Sequence, residues 1–159
     1  MNQKTNENKK TLYEKFPPSE PCSCDICVGY CKRPGWWTVE ESKKAIEAGF
    51  AKRMMLEISP EHDFGVLSPA FKGNECDYAL QIFSDRGCTF LQNGLCELFA
   101  SGLVPLECRY CHHERIGLGL KCHSEIEQEW KSHVAKKLIV QWGNITGFWQ
   151  RQGFIMREK

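Results

Sequence analysis

Two things are missing from this 159-residue sequence: an excess of charge of one sign, and a long apolar run. Lys and Arg number 21 against 20 Asp and Glu, so the formal net charge is +1. No broad basic field is present to hold a phosphate backbone, and nucleic acid is not expected as a partner. No stretch approaches the roughly 20 apolar residues that a bilayer span requires, so no membrane partner is expected either. The first ten residues, Met1 to Lys10, carry charge with no apolar run behind them. A secretory signal is therefore not read there, and a reducing cytoplasm is the expected location. Also absent are a glycine-rich phosphate loop, a G-x-S-x-G elbow, an internal repeat and an acidic cluster suited to magnesium. Whether the chain is an enzyme stays open.

Cysteine, by contrast, is in excess, with ten residues. At 42% hydrophobic and 26% charged the chain can bury a core, and its length fits one domain of about 100–200 residues. Residues 1–20, rich in Asn, Lys and Glu and ending in Phe16-Pro17-Pro18, read as a flexible N-terminal arm. Residues 21–159 are expected to form a single cysteine-cluster domain.

Thr38 with Glu41 forms a capping box that starts a helix, with Val39, Ala45, Ile46 and Phe50 as a partial apolar stripe and Gly49 near its end. Met54, Met55 and Leu56 continue the apolar character. From Asp63 to Lys72, Phe64, Val66, Leu67 and Phe71 lie among Gly, Ser and Pro, which predicts short strands and turns. Tyr78–Phe83 and Cys88–Leu91 also read as extended, with a turn at Asp85-Arg86-Gly87. Asn93-Gly94 predicts a tight turn between Leu91 and Leu95, making Cys88–Cys96 a knuckle with a cysteine on each arm.

Towards the C-terminus, Ser124 and Glu127 predict a second capping box. Ile126, Trp130, Val134, Leu138 and Trp142 then recur every four residues as one core-facing stripe, interrupted at Gly143-Asn144. Phe148, Trp149 and Phe154 form an aromatic tail expected to pack back. The fold class is thus α+β: a small, irregular, metal-stabilised single domain, with two main helices around a cysteine-rich loop and a short-strand middle.

Cys22, Cys24, Cys27 and Cys31 follow a C-x-C-x₂-C-x₃-C spacing, closed by Pro34-Gly35. A loop that short cannot bury itself, so packing does not explain four thiols in it. Short spacings let one loop supply several thiolate ligands at about 2.3 Å to a soft or borderline metal. A second set follows: Cys76, Cys88, Cys96, Cys108, Cys111 and Cys122, with His112, His113 and His123 beside them. Two four-coordinate sites need eight ligands, fewer than the donors present. Cys122, next to a helix start, is as readily a structural thiol. The candidate metal ligands are therefore Cys22, Cys24, Cys27, Cys31, Cys76, Cys88, Cys96, Cys108, Cys111 and His112. Disulfides and reduced buried thiols are the alternatives to metal. His62 is expected in solvent and His133 beside the apolar stripe, and Trp36-Trp37 are read as a cover for the metal loop rather than a stacking platform.

Cys24–Cys31, Cys88-Thr89-Phe90-Leu91 with Gly94-Leu95-Cys96-Glu97-Leu98, and Pro105-Leu106-Glu107-Cys108-Arg109 together resemble the CxxCxxCC cysteine-cluster family, the YkgJ-like proteins. The likeness runs from about Cys22 to His113. Pro34–Thr38 and Leu67–Gly73 resemble a bacterial branch of that family. The chain departs from the pattern at the first cluster, where members end on an adjacent cysteine pair and this chain has Cys27 and Cys31. The resemblance implies a zinc- or iron-chelating domain, without a reaction. Zinc is the expected ion, bound by thiolates that organise the fold. The alternative is an iron–sulfur redox or catalytic protein with an open metal position.

Overall fold

Thr38 starts a helix by the expected device. In the computed structural model, which describes residues 20–32, 34–80, 86–110, 114 and 119–153, the Glu41 N–H donates to Thr38 Oγ1 at 3.1 Å. The Thr38 N–H donates back to Glu41 Oε1 at 3.0 Å. Residues 1–19 of the expected arm, together with Cys111, His112, His113 and Phe154, lie outside the described residues.

A short helix, α1 (Asp25–Tyr30), precedes this one, α2 (Val39–Glu47). Gly49, at φ 94°, closes α2 by a Schellman arrangement, the Phe50 N–H reaching Ala45 O and the Gly49 N–H reaching Ile46 O. After a 3₁₀ turn at Ala51–Arg53, the run Met54–Leu56 opens the central strand of a three-stranded sheet. Strand β1 (Met54–Ile58) pairs antiparallel with β2 (Gly65–Pro69) and parallel with β3 (Tyr78–Leu80), in the order β2-β1-β3. Most of β1 is buried, as a central strand between two neighbours requires.

The predicted knuckle forms. β4 (Leu91–Gln92) and β5 (Leu95–Cys96) pair with Leu91 opposite Cys96, across a turn in which Asn93 and Gly94 have φ of 51° and 78°. Two left-handed residues in succession are what a two-residue type I′ hairpin needs, and Asn-Gly supplies them at least cost.

The C-terminal third departs from the single stripe. It folds as α3 (Gly119–Trp130), α4 (His133–Thr146) and α5 (Phe148–Arg151). Ser124 lies inside α3 and caps nothing at its start; the capping serine is Ser132, whose Oγ accepts from the Ala135 N–H. No Glu or Gln stands three residues after Ser132, so the capping-box pattern does not mark it. With the break at 131–132, four-residue spacing no longer continues one face. Ile126, Trp130, Leu138 and Trp142 are buried, while Val134 is 66% exposed. His133 is exposed in the first turn of α4 rather than packed against the stripe. Gly143 does not interrupt α4. A Cβ there would collide with the Trp149 indole at Nε1, so the glycine admits the ring and the helix runs on to Gly147 at φ 72°.

The core is built on tryptophan. Trp36, Trp37, Trp130 and Trp142 are fully buried, and each indole N–H has an acceptor. Trp130 donates to Trp37 O at 2.8 Å, Trp37 to Leu103 O at 2.7 Å, Trp142 to Ala51 O at 2.8 Å and Trp36 to Glu57 Oε2 at 2.6 Å. The two adjacent tryptophans are thus core residues that tie the segment after the cysteine loop to α3 and to the chain before Cys108. The class is α+β, with Cys88 inside this core and Cys31 and Cys96 packed against it.

Candidate metal centre

Pairing and hydrogen bonds bring the separate cysteine segments together. The Cys88 N–H donates to Cys31 O at 2.7 Å, joining the knuckle to the first loop. Gly35 approaches Cys108 so closely that a Cβ would meet its Sγ at 2.5 Å and its N at 2.9 Å. Glu41 Oε1, already engaged at the start of α2, also accepts the Leu106 N–H at 3.1 Å, two residues before Cys108. The first loop, the knuckle and the Pro105–Cys108 stretch therefore converge on one place.

That place is a cavity of about 60 Å³ lined by Cys22, Cys27, Cys31, Cys88, Cys96 and Cys108, with apolar neighbours such as Leu91, Leu98 and Val104. Six of the ten candidate ligands meet there, from stretches spread over more than half the chain. The sulfurs of Cys22, Cys24 and Cys27 lie within 4.8 Å of one another. Four sulfurs at about 2.3 Å from a tetrahedral ion would stand about 3.8 Å apart, so this triad is near metal-holding geometry. Cys24 belongs to the triad and is exposed, and it does not line the cavity.

The remaining candidates fall elsewhere. Cys76 sits at φ 62° with its thiol 3.4 Å from Lys52 O, apart from the cavity. Cys122 is fully buried in the core. Cys111 and His112 lie outside the described residues. His62 is exposed. His123 packs its ring 4.2 Å from that of Trp36 and pairs Nδ1 with Glu107 at 2.8 Å. None of the nine described cysteines is in a disulfide.

The thiols differ sharply in acidity. Burial pushes Cys88 up to about 12, with Cys96 and Cys31 adding to the shift, while the Phe90 N–H, 3.4 Å from its sulfur, opposes it. Cys96 is also raised, first by burial, against the N–H of Leu98. Exposed Cys24 is lowered to about 7, first by the backbone N–H of Cys27 and then by the neighbouring thiols of Cys27 and Cys22. Backbone N–H groups aimed at sulfur favour thiolate, yet burial holds Cys88 and Cys96 protonated, with neighbouring thiols adding to the effect at Cys88. A divalent cation at the centre reverses that balance, since coordination deprotonates a thiol outright.

Arg53 braces the knuckle from outside. Its guanidinium bonds both oxygens of Glu97, at 3.0 and 2.7 Å, reaches Thr89 O at 3.0 Å, and lies 4.1 Å over the Phe90 ring. The Arg53 hydrogen bonds hold the Glu97 carboxyl below its ordinary 4.5. A carboxyl depressed in the folded chain adds stability above its unfolded pKa and loses it as pH falls through the folded value. The stability gap between the native chain and Glu97→Gln is therefore expected to be full near neutrality and to shrink from about pH 4.5 downward. Urea melts of both chains across that range measure it. A gap that does not change with pH would remove Glu97 as an ionic brace.

Gly35, Glu41 and Arg53 are the site-building residues that sequence reasoning missed as such. Gly35 was legible only as half of a turn, and its contact with Cys108 spans more than seventy positions. Glu41 was visible as a cap, but its second bond, to Leu106, has no local signature. No family model, no curated protein and no solved structure matches this chain. What the structure shows of the resemblance to the cysteine-cluster family is a cluster of Cys22, Cys24 and Cys27 placed so that it could hold a metal ion. Among the described residues no helix is long and apolar enough to cross a membrane.

Proposed function

We propose that this chain is a metal-binding cysteine-cluster protein, YkgJ-like in kind, whose thiolates hold zinc and thereby organise the fold. The observation that carries the reading is the convergence of Cys22, Cys27, Cys31, Cys88, Cys96 and Cys108 on one cavity. Thiols used as small hydrophobes need no common destination, as Cys122 illustrates in the core. Cys111 and His112, three and four positions beyond Cys108, are further donors in this reading. Cys76, bonded to Lys52 O, is not among them. Thiolates of this kind persist in a reducing compartment, which fits a cytoplasmic protein.

The surplus over four cysteines favours a second reading, a polynuclear iron–sulfur centre with redox or catalytic work to do. Elemental analysis and the absorption spectrum of the full chain purified without oxygen separate the two. Zinc in a colourless protein is the expected result. A brown protein containing iron and sulfide supports the second reading, and a chain with neither metal ends both. Cys27→Ser, Cys88→Ser and Cys96→Ser are each expected to lower the metal content. If none does, the ligand assignment is wrong.

A further inference from the structure

Two groupings of thiols share members. The triad of Cys22, Cys24 and Cys27 has its sulfurs within 4.8 Å of one another. The cavity is lined by Cys22 and Cys27 but not by Cys24. Exposure follows the same order: Cys24 is exposed, Cys22 half-buried, and Cys27 buried. Cys88, as buried as Cys27, belongs to the core cluster and is hydrogen-bonded through its backbone to Cys31. A path of sulfurs therefore runs from solvent to the interior, and its middle members belong to both ends.

We infer that Cys24 is an exchange ligand: a zinc ion enters and leaves the cavity through the Cys22–Cys24–Cys27 triad, without Cys24 being part of the resident site. This rests on the metal-binding reading above. Zinc exchanges ligands one at a time and tolerates a fifth ligand in passing. With Cys22 and Cys27 bound throughout, the ion changes only one partner on crossing from triad to cavity. The Zn–S bond to Cys24 breaks as one to a wall thiol such as Cys31 forms. The proton from that thiol goes to water, and the Cys24 thiolate takes one from water in return, so the step is balanced without any oxidant or reductant. The same route in reverse lets the ion out. Without Cys24, two sulfurs alone would have to capture or release it at the surface.

The test is isotope exchange in the metal-loaded full chain. Wild type, Cys24→Ser and Cys24→His, purified with their native metal, are mixed with an excess of isotopically enriched Zn²⁺, and the bound isotope is followed by mass spectrometry. Cys24→Ser is expected to carry as much zinc per chain as wild type, with the same thermal stability, but to exchange it tenfold or more slowly. Cys24→His, which restores a ligand at the surface, is expected to recover most of the rate. An unchanged exchange rate in Cys24→Ser overturns the inference, and so does a lower zinc content, because Cys24 would then be a resident ligand. An iron–sulfur cluster in wild type also overturns it, since a cluster does not turn over ion by ion. A wild-type chain without metal ends the metal-binding reading itself, a result distinct from the others.

Discussion

Removing the bound metal with a chelator at neutral pH is expected to unfold the segments around the cavity, on the order of 10 kcal/mol of apparent binding energy being lost with a structural zinc. A domain of this size is stable by about 5–15 kcal/mol, so the loss is comparable to the whole. The mechanism is specific to this arrangement. The cavity is walled by a first cysteine segment whose one regular element is the six-residue helix α1, a knuckle whose two strands are two residues each, and a 3₁₀ turn at Glu107–Tyr110. None of these could persist by backbone pairing alone, because such short elements bury too little to offset their ordering entropy. Without a cation the buried Cys88 thiol must also stay protonated. Hydrogen exchange is therefore expected to show lost protection at the Cys88, Leu91 and Glu97 amides, while that of the β1–β2 pair falls less. A chelated, metal-free chain that keeps its full melting temperature would end the structural role.

Trp37→Ala is the substitution expected to cost most, about 3–5 kcal/mol, as large-to-small changes at fully buried tryptophan do. For a chain of this length that is a fall in Tm of about 10 °C. Besides leaving a void, the change removes the donor to Leu103 O and loosens the backbone at the carbonyl that accepts from Trp130. A half-buried carbonyl left without its donor adds to the loss. Trp37 lies between the cysteine loop and α2, and Leu103 lies between Cys96 and Cys108, so a weaker hold on metal is expected as well. Urea melts with parallel metal analysis read both effects, and Trp37→Phe, which keeps an aromatic ring, is expected to lose less. A change of under about 1 kcal/mol for Trp37→Ala would show that this indole does not join the two segments.

The thiolate-rich character, the start of α2 and the turn of the knuckle were legible because each is a short-range matter. A capping box needs only Thr38 and Glu41, and a type I′ turn only Asn93-Gly94. The C-terminal helices were harder to read. Spacing of four residues from Ile126 to Trp142 looks continuous in one dimension, whereas the break at 131–132 turns Val134 out to solvent. Gly143 shows the opposite error. A glycine that would weaken an isolated helix is retained because the Trp149 indole occupies the space of its missing Cβ.

By itself, the sequence determined that this is a small α+β chain with far more thiol than packing requires, arranged in one tight loop and one dispersed set. Spacing could not say whether those sets form two centres or one, because Cys31 and Cys88 are far apart along the chain. What only the tertiary structure decided is that members of both sets line the same cavity. The Cys88 N–H bond to Cys31 O, the close approach of Gly35 to Cys108 and the double use of Glu41 place six cysteines around one cavity and leave Cys76 and Cys122 out. The physical reason is that ligand identity is local chemistry, whereas ligand convergence depends on how distant segments dock on a common core.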